Sequence, residues 1–407
     1  MRPMVLLFVA LFNSILGLSV LFPILAPLGR ELGLGEMEIG SLSVAYASMQ
    51  LVMAPFWGRR SDAWGRKPVL LIGIVGFSIS FFAFAGVALF GLGGTLAHTP
   101  LLLLLVATRI FGGVFSSATL PTGQAYAADI SGRDDRTAAM AVIGAAFGLG
   151  IIFGPGIGAG LASLFDDLLA PVWFSAGVAA LNAVFVATSL PEPERRVTKT
   201  ASRGARVLAK KVWPILLVGL GATVASVAME QTIAFTYQDR LGLTGTGTAQ
   251  AVGLALLAYG IVAVIAQGFI VRRFRLPPRT LLRVGLPFAL VGFVVFIFAE
   301  ETVGLTIALC LQGLGQGLML PGVTAACSLA VSDSEQGVVA GLNSSAQGLG
   351  RTIGPIVGPV LYQQVNDQAP YVFSAALLGV MGIIVLLRPQ IVPAKEPSSE
   401  VAREDPA

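Results

Sequence analysis

Histidine occurs once in this chain of 407 residues, cysteine twice, and charged side chains make up only 12% of it. The lone His98 leaves no histidine cluster for a metal, and no nucleophile and base recur at catalytic spacing, so an enzyme is disfavoured and no cofactor is expected. Cys310 and Cys327 fall in one apolar run. Seventeen helical steps would hold them about 25 Å apart, which excludes a disulfide between them. Scarce charge with 55% hydrophobic residues and a mean hydropathy of +0.82 excludes a soluble domain, whose surface needs more polar groups. Nothing alternates apolar and polar for about ten residues, as a membrane barrel would. The remaining class is an all-α membrane protein, in which each helix satisfies its own backbone. The formal charge of +4 is explained by membrane topology and calls for no nucleic acid partner.

Apolar runs of spanning length lie near 4–28, 38–57, 68–91, 100–127, 138–164, 170–190, 212–236, 249–271, 280–299, 304–331, 337–362 and 369–388. The first is longer than a signal-peptide core of about 7–15 residues and follows only Arg2, so it is read as helix 1 of twelve. With the N-terminus inside, 22 of the 26 Lys and Arg fall on the cytosolic side and two, Arg30 and Arg240, outside. That asymmetry predicts both termini in the cytosol of a multi-pass protein of the cell (inner) membrane. Seven Lys and Arg between 191 and 211 mark a basic linker resting on anionic membrane lipid. The predicted organisation is therefore a six-helix bundle over 1–190, the linker over 191–211, a second bundle over 212–388 and a disordered tail over 389–407 rich in Pro, Glu and Ser.

The two halves repeat each other. AAFGLGIIFGPGIGAGL at 145–161 aligns with SAQGLGRTIGPIVGPVL at 345–361 at an offset of 200, Pro121 and Pro321 keep that offset, and RELGL after the first span echoes DRLGL after the seventh. Repeats around a midplane site are how alternating-access carriers are built. In the first copy Gly150, Gly154 and Gly158 share one helical face and Pro155 removes a backbone donor. Tight helix packing alone is one account of such a face.

The run GRRSDAWGRKP at 58–68 puts five charges into eleven residues between two apolar spans. Gly58 and Gly65 suit a tight reversal, Asp62 can cap a helix, and Arg66 and Lys67 mark the cytosolic face, so the run reads as a short hinge. Its Gly58, Asp62, Gly65, Arg66 and Lys67 resemble the signature loop between helices 2 and 3 of major facilitator superfamily transporters. LFPILAP in helix 1, RIFGG with Arg109 in helix 4, and AYAADISGRDDR with Asp129 and Arg136 in the 4–5 loop resemble further motifs of that superfamily. The helix 5 run around Gly154 and Pro155 resembles the Gly-Pro motif of its drug:proton antiporter group, where it is taken to shape the interface between halves. The resemblance covers nearly the whole chain and implies the tetracycline and multidrug efflux carriers. Two departures stand out: Ala63 where relatives usually carry a basic residue, and Asn13 where several carry an acidic one, and Asn does not exchange a proton.

Arg109, Glu230 and Arg351 are the clear ionisable residues inside spans, and each marks a functional site by default, because an unpaired charge at depth costs about 2.5–3.5 kcal/mol. The resemblance links the helix 4 Arg to proton movement. Thr223, Ser226, Glu230 and Tyr237 share a face, as do Asn343, Gln347 and Arg351, and the depths of Glu230 and Arg351, about 26 and 21 Å from the cytosolic side, permit pairing. Asn13 joins these as a central-site residue. Expected cavity linings are Tyr46, Met49, Gln50, Phe115, Gln124, Tyr126, Asn182, Phe235, Gln316, Asn343 and Gln347. The reading is a monomeric secondary exporter that exchanges protons for a small amphipathic or cationic compound. The alternative keeps the fold and makes it a proton-independent facilitator or flippase for sugars or lipids.

Overall fold

Long apolar runs punctuated by Gly, Pro and charge leave the backbone one way to pair its own polar groups, and every regular element among the described residues is helical. The computed structural model describes residues 3–131, 136–194, 205–274, 276–332 and 335–387. In order the helices are α1 (Pro3–Ser19), α2 (Leu25–Glu31), α3 (Glu36–Trp64), α4 (Arg66–Leu92), α5 (His98–Ser116), α6 (Thr119–Ile130), α7 (Arg136–Phe165), α8 (Ala170–Ser189), α9 (Ala205–Leu241), α10 (Gly245–Ile265), α11 (Arg272–Phe274), α12 (Pro278–Phe298), α13 (Thr302–Leu329), α14 (Gln336–Gln364) and α15 (Ala369–Leu387). A π-helical stretch, Ala266–Val271, joins α10 to α11.

Among the described residues ten helical stretches are long and apolar enough to cross a membrane. Two of the twelve expected spans differ for physical reasons. The first is split: α1 ends at Ser19, a turn follows, and α2 resumes at Leu25 ahead of Pro27. The eleventh is long enough, at 29 residues, but Asn343, Gln347, Arg351 and Gln363 dilute its hydropathy. Residues 195–204 of the linker and all of the tail, with residues 388–407, lie outside the described residues, as does the side chain of Arg136.

The hinge at 58–68 is shorter than its charge pattern predicts. Helix α3 runs through Gly58, Arg60 and Asp62 to Trp64, and one residue, Gly65 at φ 110°, makes the break before α4. That φ is open to glycine at no steric cost.

Within the first half α1 packs on α7 and α8, and α4 on α5 and α8; within the second α9 packs on α14 and α15, and α12 on α13 and α15. The halves meet along α7 with α10 and along α3 with α14. The sequence repeat is expressed as a structural one. Gly33 and Gly242 both turn at positive φ, 75° and 61°, and the next amides, Leu34 and Leu243, donate to Gly29 O and Gln238 O at the same spacing. Gly150, Gly154 and Gly158 press on Ile15, Ser19 and Val20, while Gly350, Gly354 and Gly358 press on Thr223, Val227 and Ala228. Large apolar side chains such as Leu103, Leu181, Phe90 and Phe298 stay exposed on the outside, as a lipid-facing surface allows.

Candidate functional site

Arg109 owes its surroundings to the residues that follow it. At Gly113 a Cβ would strike the backbone of Tyr46, and at Gly112 it would strike Ser80, so this Gly pair lets α3 and α4 close on α5. One turn away, the approach wraps the guanidinium in aromatic rings: Tyr46 at 4.5 Å, Phe81 at 5.6 Å and Phe84 at 5.8 Å from its central carbon. Ring faces stabilise a cation but accept no conventional in-plane hydrogen bond. Arg109 is 4% exposed, and its Nε and Nη1 meet no acceptor among the described residues. Gln50 holds the cage in place, with Nε2 donating to the Tyr46 hydroxyl (3.2 Å) and to Ser116 Oγ (3.3 Å).

Arg109 opens on a pocket of about 50 Å³ that it shares with Glu230. Leu18, Leu21, Phe22, Leu25 and Ala26 from the broken first span form one wall, with Ile39 and Ser43 from α3; Glu230, Gln231 and Ala234 of α9 form the other. The pocket thus lies between the halves and carries one charge of each sign among apolar walls. Ser226 Oγ donates to Glu230 Oε1 at 3.3 Å.

The two halves are tied together around Arg30. Arg30 Nη2 donates to Asp239 Oδ2 (2.9 Å) and to Glu36 Oε1 (2.7 Å), and its guanidinium lies 4.9 Å over the Phe235 ring. The Tyr362 hydroxyl donates to the same Asp239 oxygen at 2.6 Å. Met37 N donates to Gln363 Oε1 and Thr246 Oγ1 to Asp166 Oδ1, adding two further ties between halves. Gly40 packs on Pro355 and Pro359, and Gly253 on Pro155 and Ala159.

The opposite end of the first half carries a separate network. Arg66 Nε donates to Asp129 Oδ2 (2.7 Å), and its Nη1 to Ser61 Oγ (2.7 Å) and Asp62 Oδ1 (2.6 Å). Asp62 is therefore an ion-pair partner of Arg66 and not the cap of α4. That role falls to Glu192, whose carboxylate accepts from the backbone N–H groups of Arg66 (2.6 Å) and Lys67 (2.8 Å), while Lys67 Nζ donates to Ala187 O. The Asp129 side chain is 6% exposed and that of Asp62 65%. A buried pair broken on one side costs about 3–5 kcal/mol, an exposed one about 0–1 kcal/mol. Asp129→Ala is therefore expected to lower the melting temperature well below that of Asp62→Ala, measured by intrinsic fluorescence of the purified protein. Equal shifts would show that the buried arm contributes nothing special.

Other expected site residues are scattered. Asn182 is buried and donates to Ala10 O (2.9 Å) and Ser14 Oγ (3.1 Å), tying α8 to α1. Tyr126 is buried and donates to Pro191 O, and Phe235 lies under Arg30 where the halves are tied, so none of these three lines the pocket. Phe115 wedges against Gly76 and Trp57. Gln316 donates to Ala222 O, Asn343 is buried, Gln124 is exposed, and Asn13, Met49 and Gln347 are half-buried away from the pocket walls. Arg351 is exposed, 5.6 Å over Phe147 of α7, and makes no direct ion pair with Glu230, though its charge acts on that carboxylate from a distance. Tyr237 leaves the predicted Glu230 face for α13, where its hydroxyl lies 3.4 Å from Thr306 Oγ1. The stripe of Gly150, Gly154 and Gly158 faces α1 inside its own half, and it is Ile152, Pro155, Gly156 and Ala159 that meet α10.

The sequence profile of the Major Facilitator Superfamily matches residues 7–309 and again 247–406. Multidrug resistance protein 1 of Bacillus subtilis (strain 168) is 29% identical over 380 residues, 91% of this chain and 92% of that protein. Quinolone resistance protein NorA of Staphylococcus aureus (strain COL) is 24% identical over 388 residues, 94% and 95% of the two chains. Among solved structures, a bacterial homolog to the human lysosomal transporter Spinster, in an inward-facing and occupied conformation, superimposes with a TM-score of 0.76 at 13% identity over 95% of this chain and 96% of that one. The human organic anion transporter MFSD10 (TETRAN) does so with 0.66 at 22%, over 94% and 99%.

Proposed function

This chain belongs to the Major Facilitator Superfamily, a family of transporters and not of enzymes, and from that premise we propose that it is a proton-coupled exporter of small amphipathic or cationic compounds. The observation that carries the proposal is the shared pocket: a buried cation and a carboxylate on opposite halves, among mostly apolar walls, in halves that are tied together by the Arg30–Asp239 contact. A group that binds substrate in one arrangement and releases it in another must sit where the halves meet. Glu230 is the proton carrier in this reading, because it is a carboxylate in that pocket, and a proton and a cationic substrate compete for the same carboxylate. The names of the multidrug and quinolone resistance relatives support the substrate class.

The charge asymmetry of the loops supports both termini in the cytosol of the inner membrane, so that the Arg30 end is the outer end and the arrangement tied there faces inward. We extend the ten spanning stretches to twelve by counting the broken first span and the polar eleventh, and read 1–190 and 212–388 as the two bundles joined by 191–211, in a protein that works as a monomer. Asn13 favours one second reading, a facilitator that needs no proton.

The test is uptake into inverted vesicles of the lipophilic cation tetraphenylphosphonium and of the quinolone norfloxacin. An imposed pH gradient, acid inside, is expected to drive accumulation of at least one probe that a protonophore abolishes. Equilibration without accumulation, unaffected by the gradient, would leave the facilitator reading in its place.

A further inference from the structure

Most of what lines the pocket is apolar, which explains loose binding of a greasy body but not the placement of Arg109. A buried guanidinium costs free energy unless its donors are met, and the aromatic cage stabilises the charge without serving the N–H groups. Nε and Nη1 are buried and unpartnered among the described residues, Nη2 likewise makes no hydrogen bond and keeps what accessible edge the guanidinium has, and the side chain, 4% exposed, lines the pocket opposite Glu230. The planar fork of Arg, stacked between rings, suits a planar anion such as a carboxylate. Across the pocket Glu230 accepts a single 3.3 Å bond from Ser226, leaving oxygen lone pairs for a donor.

We infer that the pocket is a head-group site for amphipathic zwitterions: the substrate's carboxylate pairs with Arg109 and its ammonium with Glu230, one charge on each half of the transporter. The volume agrees. At about 50 Å³ the pocket holds a charged head of a few heavy atoms and falls short of a drug-sized cavity of about 300–1,000 Å³. The apolar body then lies against Leu18, Leu21 and Phe22 as the halves part. A ligand carrying both charges meets both walls, whereas a plain cation serves only Glu230, on which the charge of Arg351 already acts, and a plain acid only Arg109. This inference rests on the exporter reading for its biological sense, and names the class of compound that reading leaves open.

The experiment is calorimetric binding to the purified full-length protein at neutral pH of three compounds sharing one aromatic body: 2-naphthylalanine, its carboxamide, which lacks the anion, and its N-acetyl derivative, which lacks the cation. The zwitterion is expected to bind at least tenfold tighter than either, a difference of about 1.4 kcal/mol. In Arg109→Gln its advantage over the carboxamide should fall to near unity, and in Glu230→Gln its advantage over the N-acetyl form should do so. Equal binding of all three to the wild-type protein overturns the inference, and that comparison needs no variant to fold. So does a tenfold preference for the zwitterion over the carboxamide that survives Arg109→Gln. The two readings fail separately: gradient-driven accumulation of tetraphenylphosphonium without zwitterion preference removes the head-group site alone, and zwitterion preference without gradient-driven transport removes the proton-coupled exporter alone.

Discussion

Glu230→Gln is expected to abolish uphill accumulation driven by a pH gradient, while counterflow of substrate down its own gradient persists with weakened affinity. The substitution keeps the shape and the capacity to accept a bond from Ser226 Oγ, and removes the one carboxylate among the residues that line the pocket. An exporter whose carboxylate no longer titrates has no means of exchanging a proton for substrate, so the two assays part company. The measurement pairs counterflow with gradient-driven uptake into inverted vesicles at matched protein level. Intact accumulation by Glu230→Gln would remove it as the carrier and turn attention to Asp129, paired with Arg66 at the far end.

Gly154→Leu should abolish transport by a different route. A Cβ on Gly154 would collide with Ser19, whose hydroxyl donates to Gly150 O at 2.7 Å, at the point where α1 gives way to the turn before α2. Leu21, Phe22 and Leu25 of the pocket wall hang from that turn, so pushing α1 off α7 displaces the wall with it. Overpacking of this kind costs about 1–3 kcal/mol, which is expected as a lowered melting temperature in protein that still reaches the membrane. Gly160, one residue past the interface on the same helix, has open space around it, and Gly160→Leu should be close to wild type in both rate and stability. Full activity of Gly154→Leu would mean that α1 can yield without cost.

Much of this was legible beforehand because a membrane helix writes its own length in its composition. The offset of 200 residues between 145–161 and 345–361 became two matching helix contacts, and the two buried charges singled out by their cost, Arg109 and Glu230, came together in one pocket. Periodicity says which face of a helix is special but not which neighbour that face meets. Hence the face of Gly150, Gly154 and Gly158 left two accounts open, tight helix packing or the boundary between halves, and it packs against α1 inside its own half, while Asn182 and Tyr126, expected in the cavity, form their hydrogen bonds inside that half too. Glu192 left no local trace at all, since its partners at Arg66 and Lys67 are 126 and 125 residues away. LFPILAP, which supplies part of the pocket wall, carried no sign of that beyond its resemblance, and the rings around Arg109, Phe81 and Phe84, looked like ordinary apolar filling.

The ion pair of Arg30 with Asp239 has a bearing on the origin of the chain. The two residues occupy the same place in the two copies of the repeat, the first letters of RELGL and DRLGL, and they face each other across the junction. An ancestor made by duplicating one half would have set identical side chains there, Arg against Arg or Asp against Asp, and like charges at contact distance repel. Joining the halves at that end therefore depends on the two copies being unequal at this position, so the halves are not interchangeable there even though their repeat places these residues alike.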